Sequence, residues 1–312
     1  MDQLSRKGLS GIVGNTPVVE LEYISPNPRV RIFAKLEGQN PSGSIKDRIV
    51  LAMIEEAEQL GFLQKGDTIV EASTGNTAIA VSALAPRRGY KVHVVLPRGI
   101  VPSIVDILSL YGTEIEWVEP QAGMGGALSR AQELVRIPGY YALGQFTNKA
   151  NIECHYQTTG SEIINQMESV DVFIAGIGTG GTIMGVGKKL RENWPSIKII
   201  GVEPRLGEKL QGLRSLSEGF IPPLLDLNFL NGRFIVDSSD AIASAKKIIS
   251  TEGILAGISC GATLHTAIRL AESMDQGNIL VMFSDSTWKY LPSKPWDAAE
   301  IGDSELDEIH WW

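Results

Sequence analysis

The sequence predicts an α/β protein of two domains, each a twisted and mostly parallel sheet flanked by helices. Three observations support this prediction. Short apolar runs alternate with helical patterns of ten or more residues, which is typical of parallel sheets covered on both faces. The alternation forms two blocks that separate near residues 145–150. The length of 312 residues also suits about two domains.

The elements follow one another regularly along the chain. The first block opens with a strand pattern over 30–36 and a helical pattern over 44–60, for which Ser44 is the predicted N-cap. Three strand–helix pairs follow, with strands at 68–73, 91–97 and 114–119 and helices ending near 85, 112 and 136. The second block has strands at 171–177, 197–203 and 278–285 and helices at 181–192, 241–253 and 261–274. The irregular segment 204–232 is of the kind that usually covers a site.

Composition excludes several functional classes. The formal net charge of −8 argues against nucleic acid or an anionic membrane as the main partner. No apolar run approaches the ~18 residues that a membrane-spanning helix needs. Two cysteines, Cys154 and Cys260, cannot make a disulfide framework, so a reducing, cytoplasmic location is expected. The four histidines are far apart, and no metal site is predicted.

A glycine-rich turn follows the strand at 171–177. Its small residues let a ligand approach the backbone, and the next helix offers free N–H groups to an anion. The stretch also fits Gly-x-Gly-x-x-Gly, with Glu203 where a dinucleotide-binding fold places its ribose carboxylate. A phosphate site, an NAD-dependent dehydrogenase and a turn without ligand therefore all remain open here. The predicted cradle comprises Gly178, Thr179, Gly180, Gly181 and Thr182.

Three other stretches carry reactive or polar groups at helix starts. Lys46 lies where the loop "NPSGSIKDR" becomes a helix, which suits either an ordinary solvated lysine or a nucleophile. The turn "EASTGNTAIA" gathers Ser73, Thr74, Asn76 and Thr77, more donors than one helix cap requires. In "AGISCGATLH", Ser259 offers a hydroxyl. A lysine, two anion cradles and a hydroxyl are what a pyridoxal phosphate enzyme acting on an amino acid requires, whereas a dehydrogenase needs neither the lysine nor the second cradle.

On these motifs the chain resembles the cysteine synthases, fold type II pyridoxal phosphate enzymes also called O-acetylserine or O-phosphoserine sulfhydrylases. The resemblance runs nearly end to end, through "VGNTPVV" (13–19), "NPSGSIKDR" (40–48), "STGNT" (73–77), "QFTNKANIECHYQTTGSEI" (145–163), "GTGGT" (178–182), "EGILAGISCGA" (252–262) and "SDSTWKYL" (284–291). It implies a fold like that of the tryptophan synthase β-subunit. After Pro97 the segment 98–108 departs from the usual family pattern. This segment lies in the family's mobile subdomain, so the sequence does not predict how that subdomain closes.

The resemblance also implies a role for each site residue. Lys46 would carry the cofactor and act as general base; Asn76 would flank the ring hydroxyl, and Ser259 would meet the pyridine nitrogen. Residues 178–182 would bind the cofactor phosphate. The substrate carboxylate would be held by Ser73, Thr74, Thr77 and Gln145. The reaction would be β-replacement through an aminoacrylate intermediate, giving L-cysteine.

The resemblance further implies a domain layout and partners. The N-terminal domain, residues 1–145, would carry Lys46 and the carboxylate turn, with its first strand crossing to the other domain. The C-terminal domain, residues 146–312, would carry the phosphate loop, the substrate loop 204–232 and the tail 295–312. The small-molecule partners would be an amino acid and a sulfur donor, and a homodimer is expected.

Arg214 bears on the substrate. It lies in a loop expected over the substrate, and an arginine fork suits the phosphate of O-phosphoserine. The most similar members use O-phosphoserine, take sulfur from a thiocarboxylated carrier protein and have an aromatic C-terminus, as Trp311 and Trp312 would provide here. Four alternatives stay open: a structural surface arginine, an O-acetylserine enzyme using sulfide or thiosulfate, a cystathionine β-synthase-like enzyme, and a catalytically silent binding protein.

Overall fold

A computed structural model describes residues 8–98, 102–208, 210–293 and 296 of the chain. Its strands are β1 (Val18–Glu20), β2 (Val30–Leu36), β3 (Thr68–Glu71), β4 (Lys91–Pro97), β5 (Glu114–Val118), β6 (Tyr140–Ala142), β7 (Val172–Gly176), β8 (Lys198–Pro204), β9 (Gly232–Val236) and β10 (Gly277–Phe283). Its helices are α1 (Lys46–Gln59), α2 (Asn76–Leu84), α3 (Pro102–Leu110), α4 (Gly123–Leu134), α5 (Ala150–Cys154), α6 (Ser161–Gln166), α7 (Gly181–Asn193), α8 (Ser238–Glu252) and α9 (Ile258–Ser273). A π-helical segment, His155–Gly160, joins α5 to α6.

The strands form two sheets, and this confirms the predicted α/β class. One sheet has six strands in the order β1-β2-β10-β7-β8-β9, and the other has four in the order β5-β4-β3-β6. The paired strands run parallel except for the antiparallel β1–β2 pair. β1 and β2 thus belong to a sheet whose other strands all follow residue 171. The division of the chain into domains at residues 145 and 146 stays a prediction.

Helices cover both faces of each sheet, which explains why the central strands are apolar throughout. On the four-stranded sheet, one core joins residues of α1, α2 and α3 to β3 and β4, and a smaller core joins α4 to the opposite face. On the six-stranded sheet, α8 and α9 contribute to one core and α7 to another. Among the residues that the structure describes, no helix is long and apolar enough to cross a membrane.

The sequence located the central elements better than the edges. β2 has its predicted bounds, whereas β1, β6 and β9 were not predicted; they are short and lie at sheet edges. The predicted N-cap at Ser44 was wrong by one residue, since α1 begins at Lys46 and Ile45 is its N-cap. The reason is tertiary: Ser44 forms a β-bridge with Asp285, although its Oγ still accepts the Lys46 N–H at 3.3 Å.

The loops at the carboxyl ends of four strands face a single cleft. The loop after β2 leads to Lys46, the turn after β3 contains residues 73–77, and the turn after β7 contains residues 178–182. Ser284 directly follows β10, and its carbonyl accepts the Ile45 N–H at 2.8 Å. Open α/β sheets bind ligands at this end of their strands, so the topology itself defines the candidate site.

Candidate functional site

One pocket gathers nearly all of the residues that the sequence singled out. Gly181 does not line it but lies directly behind, as the first residue of α7. The roles that the resemblance assigns to these residues stay predictions. The predicted residues that line the pocket are Lys46, Ser73, Thr74, Asn76, Thr77, Gln145, Gly178, Thr179, Gly180, Thr182, Arg214 and Ser259.

The charge of the pocket favours an anionic ligand. Among the described residues its lining contains two cations, Lys46 and Arg214, and no carboxylate. The neutral lining is rich in hydroxyl, amide and backbone N–H groups. A ligand with more than one anionic group, such as an amino acid joined to a phosphate-bearing cofactor, suits this lining.

Lys46 is held at the start of α1 by contacts with the end of β10. The Ser44–Asp285 bridge and the Ile45 N–H bond to Ser284 fasten the preceding residues. Burial lowers the pKa of Lys46 to about 8; Asp285 raises it and Lys289 lowers it further. An amine with this pKa is partly neutral near physiological pH and is therefore able to act as a nucleophile or a base.

The predicted anion cradle lies where β7 turns into α7. Gly180, the residue before the helix, has a positive φ of 87°, a conformation that suits glycine. The Thr179 hydroxyl accepts hydrogen bonds from the Gly181 N–H at 3.3 Å and from Nδ2 of Asn151 at 3.1 Å. A Cβ on Gly178 would lie 2.7 Å from the carbonyl oxygen of Gly212, so this close approach requires glycine. The free N–H groups of the first turn of α7 complete the cradle.

A buried hydrogen-bond chain fixes the second cradle. Oε1 of Gln145 accepts from the Thr77 hydroxyl at 2.9 Å, and Nε2 of Gln145 donates to Glu71 at 2.8 Å. Burial raises the pKa of Glu71 to about 8, against the opposing effect of the Gln145 hydrogen bond. Near neutral pH, Glu71 therefore orients Gln145 without placing a full negative charge beside the cradle.

Asn76 and Ser259 lie at the starts of α2 and α9. Nδ2 of Asn76 donates to Asp285 at 2.7 Å, and its Oδ1 accepts from Lys289. Ser259 is buried in the first turn of α9. Both residues line the pocket, on the part formed by loops next to β10.

Arg214 lies against a pair of aromatic rings, Phe146 and Phe220, which contact each other edge to face. Its guanidinium carbon lies 5.0 Å from the ring centroid of Phe146 and 5.1 Å from that of Phe220. Its backbone N–H donates to the carbonyl of Ile177 at 2.8 Å, which places the residue at the pocket. Burial lowers the pKa of Arg214, and Glu218 opposes that effect. No carboxylate of the described residues lies within ion-pair distance of this guanidinium.

The dinucleotide alternative finds no support at Glu203. This carboxylate is buried, accepts the Leu216 N–H at 2.6 Å and pairs with Arg233 at 2.8 Å. It does not line the pocket. Glu203 therefore holds the irregular segment 204–232 against β8 instead of facing a ribose.

Three supporting residues were missed by the sequence reasoning: Glu71, Asn151 and His155. The last two lie in the block "QFTNKANIECHYQTTGSEI" and are four residues apart, a spacing that places them on one helical face. Trp311 and Trp312 lie outside the described residues, as do residues 99–101 of the segment 98–108. Of the tail 295–312, the structure describes only Trp296.

Comparison with known proteins finds a matching family model and similar full-length proteins. Residues 9–285 match the family model "Pyridoxal-phosphate dependent enzyme". A cysteine synthase of Staphylococcus aureus (strain N315) is 38% identical over 304 residues, which cover 95% of this chain and 98% of that protein.

Solved structures agree with the family match. An O-ureido-L-serine synthase superposes with a TM-score of 0.89 at 32% identity, covering 96% of this chain and 97% of that one. A hydrogen sulfide-producing enzyme from Fusobacterium nucleatum gives 0.84 at 37% identity, covering 91% and 99%. A cysteine synthase from Entamoeba histolytica gives 0.88 at 29% identity, covering 99% and 98%.

Proposed function

This chain belongs to the family of pyridoxal-phosphate-dependent enzymes, and on that premise we propose that it is a cysteine synthase. The reaction replaces the β-substituent of an activated serine by sulfur and yields L-cysteine. One observation carries the proposal: a single pocket brings together Lys46, the anion cradle at 178–182 and the polar turn at 73–77.

The residues present fit the cofactor. Lys46 supplies the amine for its carbonyl group, the first turn of α7 with Thr179 and Thr182 supplies donors for its phosphate, and Asn76 and Ser259 would flank its ring. Gly178 lines the pocket with backbone alone, because a Cβ there would collide with the carbonyl oxygen of Gly212. When bound, pyridoxal phosphate supplies an electron sink that acidifies the α-carbon of an amino acid.

The chain's own groups would then bind the substrate and move its proton. The lowered pKa of Lys46, about 8, suits a base that accepts the α-proton near neutral pH. The hydroxyls of Ser73 and Thr74 and the backbone N–H of Thr77 would hold the α-carboxylate, while the Thr77 hydroxyl donates to Gln145. Binding the carboxylate orients the α-hydrogen, which is the main contribution that a rigid polar turn makes to rate.

Arg214 supports O-phosphoserine as the preferred substrate. Its contacts with the two rings restrict the guanidinium, so less side-chain entropy is lost when it binds an anion. Because the described residues offer it no carboxylate, its N–H donors are available to a ligand. A phosphate ester carries about two negative charges more than an acetyl ester, so a half-buried arginine that has no ion pair among the described residues favours the phosphate.

The test compares two substrates and two arginines. We expect Arg214→Ala to lower kcat/KM for O-phosphoserine by about 10- to 100-fold, the loss typical of charge-assisted hydrogen bonds, and to change kcat/KM for O-acetylserine by less than about threefold. Arg191 is a matched control, since its guanidinium stacks on Phe229 at 4.2 Å but lies outside the pocket. Arg191→Ala is expected to leave the substrate preference unchanged.

Other outcomes would identify other substrates. Preference for O-acetylserine in the wild type, with no effect of Arg214→Ala, would show that Arg214 is structural. The sulfur donor would then be either sulfide or thiosulfate. Turnover of serine with homocysteine would favour a cystathionine β-synthase-like enzyme. A purified protein that binds the cofactor but converts none of these substrates would reject the proposal.

The protein partners and the cellular location are also proposals. We expect a homodimer, to be checked by light scattering, and a cytoplasmic location, to be checked by fractionation. Both described cysteines are free, in keeping with a reducing compartment. A thiocarboxylated carrier protein as sulfur donor would be tested by cysteine formation with that carrier in place of sulfide.

A further inference from the structure

The block "SDSTWKYL" that follows β10 contributes a buried ion pair beside the pocket. Nζ of Lys289 lies 3.0 Å from Oδ2 of Asp285, and their side chains are only 0% and 1% exposed. Neither residue lines the pocket. Taking two charges out of water is costly, and a buried pair is weak support for stability by itself. Its position therefore calls for another explanation.

The pair holds both ends of the Asn76 side-chain amide. Nδ2 of Asn76 donates to Asp285 at 2.7 Å, and Oδ1 of Asn76 accepts from Lys289. The two ends of an amide have nearly the same shape, so only their partners decide which way it points. An ammonium has donors only and a carboxylate has acceptors only, and the reversed amide would lose both bonds. The Asn76 side chain also hydrogen-bonds Tyr290, and the residue so held lines the pocket.

Asp285 is itself held from several elements. The Tyr290 hydroxyl donates to the same carboxylate, and the Ser44–Asp285 bridge ties its backbone to the loop that carries Lys46. At Gly257, which precedes α9, an added Cβ would lie 2.0 Å from Oδ1 of Asp285. The carboxylate is thus buried and held by contacts with several elements.

A pair serves this purpose better than a single charge would. Asp285 and Lys289 act on Lys46 in opposite directions, the first raising and the second lowering its pKa. Their effects on the reactive amine therefore oppose each other, while both residues hydrogen-bond Asn76. Each charge alone would disturb the ionisation of Lys46.

We propose that the Asp285–Lys289 ion pair is the positioning device for Asn76, fixing the orientation of its amide beside the ring of the bound cofactor. Both residues act through Asn76 and are positioning residues. The inference rests on the part of the proposed function that sets Asn76 beside the cofactor ring. It does not depend on which serine ester is the substrate.

The test measures cofactor binding and needs no substrate. Cofactor-free protein is titrated with pyridoxal phosphate in the wild type and in Lys289→Met, Asp285→Asn, Asn76→Ala and the double variant Asn76→Ala/Lys289→Met. We expect Lys289→Met and Asp285→Asn to weaken affinity about tenfold and to change the ratio of the visible to the near-ultraviolet cofactor band. In the Asn76→Ala background, Lys289→Met should add less than about twofold, because its effect passes through the missing amide.

Lys35→Met provides the matched control. Lys35 is also a buried lysine in an ion pair, 2.8 Å from Glu162, but lies outside the pocket. It should change cofactor affinity less than about twofold. Asp285→Asn preserves shape and serves as the readout if Lys289→Met does not fold. The proposal is overturned if Asp285→Asn binds the cofactor like wild type, if the effects of Asn76→Ala and Lys289→Met multiply, or if Lys35→Met weakens binding as much as Lys289→Met.

The outcome is separable from that of the proposed function. A wild type that binds the cofactor but makes no cysteine from either serine ester would reject the proposed function. The titrations above would still decide whether the ion pair positions Asn76.

Discussion

Nε2 of His155 lies 3.1 Å from the hydroxyl oxygen of Thr182, in the first turn of α7. On its other side, Nδ1 of His155 lies 3.0 Å from the Thr159 hydroxyl. Burial lowers the pKa of His155 well below its usual value, so the ring is neutral and carries a single N–H. If Thr159 donates to Nδ1, Nε2 donates to Thr182 and leaves the hydroxyl hydrogen of Thr182 for the pocket. The π-helical segment thus supports the anion cradle from behind, in keeping with the frequent occurrence of such segments at functional sites.

Substitution of His155 tests this donor. Glutamine places an N–H close to the position of Nε2, whereas leucine fills a similar volume without any donor. We expect His155→Leu to weaken binding of pyridoxal phosphate about tenfold and to shift the phosphorus resonance of the bound cofactor, while His155→Gln stays within about threefold of wild type. Equal losses in both variants would assign His155 a packing role only.

Gly181 packs against Asn151, which supports the predicted cradle from a second side. A Cβ there would lie 1.9 Å from Oδ1 of Asn151, whose Nδ2 bonds the Gln145 carbonyl at 2.8 Å and Thr179 at 3.1 Å. Gly181→Ala should displace Asn151 and thereby loosen both pocket cradles. We expect cofactor affinity to fall about tenfold or more and stability to fall by about 1–3 kcal/mol, both measured by titration and denaturation.

A helical glycine elsewhere gives the control for that prediction. A Cβ on Gly125, in α4, would meet nothing within 4 Å. Gly125→Ala is expected to leave cofactor binding unchanged and to raise stability by about 0.5–1 kcal/mol through helix propensity. A loss at Gly125 as large as that at Gly181 would contradict the role of Asn151.

Glu71 should make stability depend on pH. Because burial raises its pKa to about 8, the folded protein keeps a proton that the unfolded chain releases near pH 4.5. The folded state is therefore penalised increasingly as the pH rises from about 4.5 to about 8. The stability of Glu71→Gln relative to wild type should rise over this window by about 4–5 kcal/mol and level off above it. Urea denaturation at several pH values measures the difference, and a difference independent of pH would refute the prediction.

Arg48 is expected to be a larger determinant of stability than an exposed arginine. It is buried and pairs with Glu37 at 2.6 Å and with Glu162 at 2.7 Å, so it joins α1 to α6 two residues after Lys46. Arg48→Met would leave the buried Glu37 without its cation and Glu162 with Lys35 alone, and should cost about 3–5 kcal/mol. Arg88→Met, which removes a partly exposed pair with Glu58, should cost less than about 1 kcal/mol. Chemical denaturation of both variants measures the two losses of stability. Similar losses would show that the ion pairs of Arg48 contribute no more than the partly exposed pair of Arg88.

Much of the site could be predicted because its parts are local. An apolar strand, a glycine turn and a helix start can all be recognised within about twenty consecutive residues. The polar groups near residue 46, at 73–77 and at 178–182 each lie in such a stretch. The supporting residues gave no such signal. Glu71 is an ordinary last residue of a strand, and Asn151 and His155 belong to a segment whose π-helical turn no simple periodicity indicates.

By itself, the sequence determined the α/β class, the central strands and the presence of a lysine with two anion cradles, because hydrophobic periodicity and turn chemistry act between near neighbours. Only the tertiary structure decided that Asp285 meets the amide of Asn76, 209 positions away, and that Ser44 bridges to Asp285 instead of capping its helix. The physical reason is the strand order. β10 enters the sheet between β2 and β7, so its carboxyl end comes to lie beside the loop that carries Lys46.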